Sequence, residues 1–147
     1  MTDINDADVT RIAFVRVQNA GRSQIAYAFA QRERAERRLE EELDLLTGGT
    51  RSAEHVHEDV VQAMHTVGID ISGRTPRELT FKEILESDYI ITMGRSAVDV
   101  CPAGWIGENH DWELDDPDGK SADEVGRIRD EIETRVTPLF DEIEASS

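Results

Sequence analysis

The sequence predicts an α/β fold built on a parallel sheet, and three observations carry that prediction. Short apolar runs alternate with helical stretches along the chain. The first run, Ile12 to Val17, barely alternates, as a strand buried on both faces does. From Phe14 to Arg32 the chain passes from that run through a small polar loop into a helix, the strand–loop–helix unit of such sheets.

Each element follows from its own pattern. Residues 2–10 read as a loose leader, and Ile12 to Val17 is the first strand. A helix is predicted from Ser23 to about Glu42, with Ile25, Ala26, Phe29 and Ala30 as its apolar stripe. Its second half is charged nearly all round and offers i,i+4 pairs such as Glu33–Arg37. Leu43 to Thr47 is a second strand, stopped by Gly48-Gly49. Val56 to Val67 is a second helix with Gly68 as its C-terminal stop. A turn at Thr75-Pro76 precedes a short helix from Thr80 to Leu85. Asp88 to Met93 is a strand with a continuous apolar centre, and a loop runs from Gly94 to Asn109. A short last strand is placed at His110 to Glu113. Ser121 to about Ile143 is a long amphipathic helix with Val125, Ile128, Ile132, Val136, Leu139 and Phe140 inward, and Pro138 is expected to kink its last turns. No internal repeat or linker interrupts residues 1–147, so a single domain is expected.

Composition narrows the function. The formal net charge is −16, from 32 acidic and 16 basic residues. Only Lys82 and Lys120 are lysines. A charge this negative repels nucleic acid and anionic membranes. The acids are spread along the chain, which fits a solvated acidic surface of the kind found in salt-loaded cytoplasm. At molar salt the Debye length is about 3 Å, which screens the self-repulsion. No run is long and apolar enough to span a bilayer. The acidic start MTDINDADV does not read as a secretory signal, so a cytoplasmic protein is expected. The lone cysteine, Cys101, can form neither an intramolecular disulfide nor a cysteine-based metal site. His55 and His57 are two apart and do not share a helix face, so no metal and no cofactor is predicted.

The loop Arg16-Val17-Gln18-Asn19-Ala20-Gly21-Arg22-Ser23 has the make-up of an oxyanion site. Loop N–H groups converge there, and a helix N-terminus adds its positive end. Gly21 permits a positive φ, Arg22 offers a planar fork for two oxygens, and Ser23 can cap the helix. Such a βα turn with a capping serine also occurs without a ligand. In an open parallel sheet the ligand lies beyond the carboxyl ends of the strands. The first and third strands therefore face one crevice.

The segment "VRVQNAGRSQIA" resembles the phosphate-binding loop of the low-molecular-weight protein tyrosine phosphatase family, which includes the thiol-dependent arsenate reductases. The family pattern is an apolar strand, a cysteine, five residues, then arginine and serine. "TGGTRSAEHVHEDVVQAMHTVGIDISGRTPREL", "SDYIITMG" and "HDWELDDPDGKSADEVGRIRDEI" are similar to later family segments in the same order, so the resemblance covers nearly the whole chain. It implies a three-layer, Rossmann-like fold, with a four-stranded parallel sheet and helices on both faces. Asp118-Gly119-Lys120 after Asp116-Pro117, the loop "QNAGRSQ" and the pair Cys101-Pro102 resemble the arsenate reductase branch.

The resemblance also implies roles. Residues 17–23 would bind a small oxyanion such as arsenate, phosphate or sulfate, with Arg22 stabilising charge on its oxygens. Asn19 would hold the loop shape and Ser23 would donate to a thiolate. Asp116 would protonate the leaving oxygen, and a thioredoxin-type reductant would serve an active relative. Arg16 stands where the nucleophilic cysteine belongs, and Arg95 stands where a resolving cysteine belongs; Cys101 alone matches a family thiol. Arginine is protonated at any working pH and has no lone pair to attack with. The reading is an arsenate-reductase-type protein disabled as written. The alternative is a non-catalytic oxyanion sensor or scaffold. The two arginines fit either an altered sequence or a natural non-catalytic relative. Arg16 is expected to turn out of the cradle toward Asp116, which would neutralise its charge.

Overall fold

The computed structural model describes residues 9–16, 19–49, 51, 53–93, 104–115, 117 and 119–146. Four strands form one parallel sheet: β1 (Thr10–Val15), β2 (Leu43–Gly48), β3 (Tyr89–Thr92) and β4 (Glu108–Asp111). Their order across the sheet is β2-β1-β3-β4. The helices are α1 (Arg22–Glu36), α2 (Glu58–Thr66), α3 (Phe81–Leu85) and α4 (Ala122–Ser146).

The two faces of the sheet are covered unequally. Alternation sends Ile12 and Phe14 of β1 to one face and Ala13 and Val15 to the other. The first face carries the main core, where Leu45, Ile91 and Met93 meet α1, α2 and α4. Phe29 of α1 and Ile132 and Phe140 of α4 are at most 1% exposed there. On the other face Ala13, Val15 and Ile90 lie beneath Leu79, Trp105 and Ile84 of the short α3. Each of the six α4 positions expected to point inward is buried.

Several boundaries differ from expectation, each for a physical reason. β1 begins at Thr10 rather than Ile12, because the ladder to β2 runs on from Ile12↔Leu45 through Arg11↔Asp44 to Thr10↔Leu43. Arg11 is held at that polar end by Asp44 at 2.9 Å and Glu86 at 2.8 Å. α1 ends at Glu36, not near Glu42. Arg38 adopts φ 58, and Leu39 turns back into the core at 7% exposure. The Leu39 N–H donates to Arg34 O at 2.9 Å and the Arg38 N–H to Ala35 O at 3.2 Å. These two bonds form a Schellman stop without its usual glycine. The expected Glu33–Arg37 pair is present at 2.7 Å, and Arg37 also reaches Asp141 at 2.8 Å and Glu144. That arginine ties the end of α1 to the end of α4.

α2 spans Glu58–Thr66, shorter than predicted at both ends, and Gly68 follows at φ 84. Thr80 caps α3 through a full capping box with Glu83. β4 lies two residues earlier than expected, at Glu108–Asp111, because its pairing with Tyr89–Thr92 decides its place rather than any apolar pattern. α4 continues through Pro138 to Ser146.

Candidate functional site

The carboxyl end of β1 runs straight into the loop under discussion. The Arg16 N–H donates to Gly48 O at 3.3 Å, one step beyond the β1–β2 ladder, and its side chain is half-buried. Asn19 then takes the left-handed conformation, φ 54, which asparagine tolerates better than most residues.

Asn19 organises the loop. It is fully buried, and its amide uses all four of its hydrogen-bonding positions. Its Nδ2 donates to Ser23 Oγ at 2.9 Å and to Thr47 Oγ1 at 2.8 Å. Its Oδ1 accepts from Gln24 Nε2 at 3.0 Å and from the Arg77 N–H at 3.1 Å. The same Gln24 Nε2 also donates to the Asn19 backbone carbonyl at 3.0 Å. Thr47 passes the connection on by donating to Phe14 O at 3.0 Å. One side chain therefore joins the loop, the first turn of α1, the end of β2 and the segment before α3.

Ala20, Gly21 and Arg22 are anchored as well. Ala20 O accepts from the His57 N–H at 2.9 Å, which fixes the loop to the start of α2. Gly21 is the N-cap of α1, and its carbonyl accepts from Gln24 at 3.0 Å and Ile25 at 3.1 Å. Arg22 opens the helix only 5% exposed, and its Nη1 donates to Leu114 O at 2.5 Å. A helix leaves its first N–H groups without partners inside itself, so this end of α1 carries positive potential. Pro117 packs over the loop: a Cβ placed on Gly21 would lie 3.5 Å from Pro117 Cγ.

Two expectations are corrected by this geometry. Ser23 does not cap α1; the helix starts one residue earlier, and Ser23 sits fully buried in its first turn as the acceptor of Asn19. Gly21 does not supply the positive φ; its φ is −134, and the left-handed residue is Asn19. Thr47 and Arg77, which hold Asn19, were not singled out in the sequence, and Gln24 entered only as a match in the resembling loop segment, with no role. Their signal is weak, since each reaches Asn19 from a different element. Val17, Gln18, Arg95, Cys101 and Asp116 lie outside the described residues, and so does the expected Arg16–Asp116 pairing. Leu114 and Pro117, which flank Asp116 in sequence, both lie against the loop.

A parallel α/β sheet with a hydrogen-bonded loop and a helix N-terminus at the carboxyl end of its first strand defines the class of open α/β proteins that place their ligands at that end of the sheet. Comparison with known proteins makes the class specific. Residues 11–147 match the family model described as low molecular weight phosphotyrosine protein phosphatase. The chain belongs to that family. Among its relatives is a candidate arsenate reductase from Halobacterium salinarum, 51% identical over 133 residues, covering 90% of this chain and 92% of the relative. A solved thioredoxin-dependent arsenate reductase from Corynebacterium glutamicum is 33% identical with a TM-score of 0.76, covering 96% of this chain and 65% of that one. A second solved structure, an arsenate reductase in the phosphate-binding state, is 29% identical with a TM-score of 0.76, covering 92% and 99%. Within the family the resemblance is to the arsenate reductase branch.

Proposed function

We propose that this chain is an arsenate-reductase-type family member that holds a tetrahedral oxyanion in the loop from Arg16 to Ser23 and lacks the first chemical step as written. The observation that carries the reading is the fully bonded Asn19, which fixes the loop between β1 and α1. With Asn19 held by four hydrogen bonds from three elements, the stretch from Asn19 to Ser23 is preorganised to receive an anion.

The reaction in such a site begins with a thiolate attacking phosphorus or arsenic. Arg16 has no atom that can do this, because a guanidinium keeps its proton and offers no lone pair. Arg22, the first residue of α1, is the proposed partner for oxygens of the bound anion, and Asp116 is the proposed proton donor to the leaving oxygen. Arg95 and Cys101 together provide one thiol, too few to pass oxidation along an internal disulfide. A thioredoxin-type reductant belongs to the reading only once thiols are restored. No helix among the described residues is long and apolar enough to cross a membrane.

The test is turnover on an aryl phosphate and on arsenate with a thioredoxin system. The native chain is expected to give none, and Arg16→Cys is expected to release phenolate because cradle and acid remain. Thiol-coupled arsenate reduction is expected to need Arg95→Cys as well. Steady-state turnover by the native chain, lost on mutation of Arg22, would overturn the reading.

A further inference from the structure

Glu108 and His110 lie two apart on β4, so strand alternation places them on one face of the sheet. It is the α4 face, because Trp112, the next residue in that row, is buried and meets the Phe14 ring at 6.1 Å. Glu142, in the last turns of α4, comes down onto the same spot. His110 Nε2 is 2.7 Å from Glu108 Oε2 and 3.4 Å from Glu142 Oε2. One ligand atom from each of the three residues falls within 4.8 Å of the others. The imidazole is steadied by Tyr89, whose ring lies 6.2 Å away at 33°.

We infer that Glu108, His110 and Glu142 form a surface site for a first-row divalent transition cation of the Zn²⁺ or Co²⁺ type. The donor set decides the class. One imidazole nitrogen with two carboxylate oxygens suits borderline cations. It offers too few oxygens for Ca²⁺, which takes six to eight. It holds no sulfur for a soft ion.

The spacing agrees. Bonds of about 2.0–2.2 Å in a tetrahedral site place ligand atoms roughly 3.3–3.6 Å apart. The His110–Glu142 separation of 3.4 Å is already there. The His110–Glu108 contact of 2.7 Å has to open by well under 1 Å, which the half-exposed Glu108 side chain can supply by rotation. A cavity of about 240 Å³ beside His110 and Glu142 leaves room for water to complete the shell. Arg135 lines the same cavity but is engaged by Glu131 at 3.1 Å. Two carboxylates converge on one nitrogen that can lend them only one proton, so a dication neutralises the cluster better than His110 alone.

The site lies on β4, the edge strand of the sheet, whereas the proposed oxyanion loop follows β1, with β3 between the two strands. Nothing in the spacing of the sequence signals it, because two ligands are on a polar strand and the third is on a distant helix turn.

The test is titration of the metal-stripped full-length chain with Co²⁺, read by its visible ligand-field bands, and with Zn²⁺ by calorimetry. One equivalent is expected to bind in the micromolar range. Its bands are expected without the near-ultraviolet charge transfer that Cys101 ligation would add. Exchange of an outer-shell partner costs about 10–100-fold in affinity, so His110→Ala and Glu142→Gln are each expected to cost about tenfold or more. His55→Ala is expected to change nothing. Absence of saturable binding, a thiolate band, or unchanged affinity in His110→Ala overturns the inference. Should His110→Ala lose its native circular dichroism, the exposed Glu142→Gln decides alone, and unchanged affinity there overturns it equally.

Discussion

Replacing Asn19 by alanine removes four hydrogen bonds at once, at 2.8, 2.9, 3.0 and 3.1 Å, from a residue with no exposed surface. A typical intramolecular hydrogen bond contributes about 1 kcal/mol net, and buried partners left unpaired raise that figure. Alanine must also hold φ 54, which costs roughly 1 kcal/mol more. The expected loss is about 5 kcal/mol or more, a large share of the roughly 5–15 kcal/mol that holds a domain together. Asn19→Gly separates the two contributions: it loses the same bonds but relieves the backbone, so it should fall about 1 kcal/mol less far. Urea unfolding followed by circular dichroism measures both variants against the native chain. A loss below about 1 kcal/mol in Asn19→Ala would refute the claim that this side chain holds the loop.

Three further outcomes follow from other parts of the molecule. Gly48→Ala should destabilise by about 1–3 kcal/mol in the same urea assay, because a Cβ there would stand 2.6 Å from Leu79 Cγ in a packed part of the sheet. The melting temperature should rise from dilute buffer to molar potassium chloride, since a net charge of −16 repels itself until salt screens it. Glu83 should contribute to acid lability. Burial raises its pKa, but the Thr80 N–H and Arg77 outweigh burial and hold the carboxyl below its ordinary value. That stabilisation is present above the unfolded value of about 4.3 and disappears as pH falls through the lowered native one. Melting curves against pH should show this acid-side loss in the native chain and less of it in Glu83→Gln.

The parts of the fold legible in the sequence were those written in apolar periodicity. The centres of β1, β2 and β3 and the buried stripe of α4 are continuous or regularly spaced hydrophobic positions, and the structure has them where the pattern puts them. What escaped was fixed by hydrogen bonding rather than by burial. β4 is Glu-Asn-His-Asp, a strand only because β3 offers it a ladder. The end of α1 rests on Arg38 in a left-handed turn, where no glycine announces a stop. Asn19, Gly21, Arg22 and Ser23 marked the loop in the sequence as a candidate oxyanion cradle, the role proposed for it above. Which residue turns the backbone and which caps the helix was not legible, because Asn19 depends on Thr47, Gln24 and Arg77, each brought in by a separate element.

The central claim is that the cradle remains a working anion site although Arg16 stands at its first position. Calorimetric titration of the native chain with arsenate tests it most directly. The account predicts one arsenate bound per chain, displaced by phosphate, and weakened in Arg22→Lys, which keeps the charge but loses the planar fork. No saturable binding, or binding indifferent to Arg22→Lys, would contradict it.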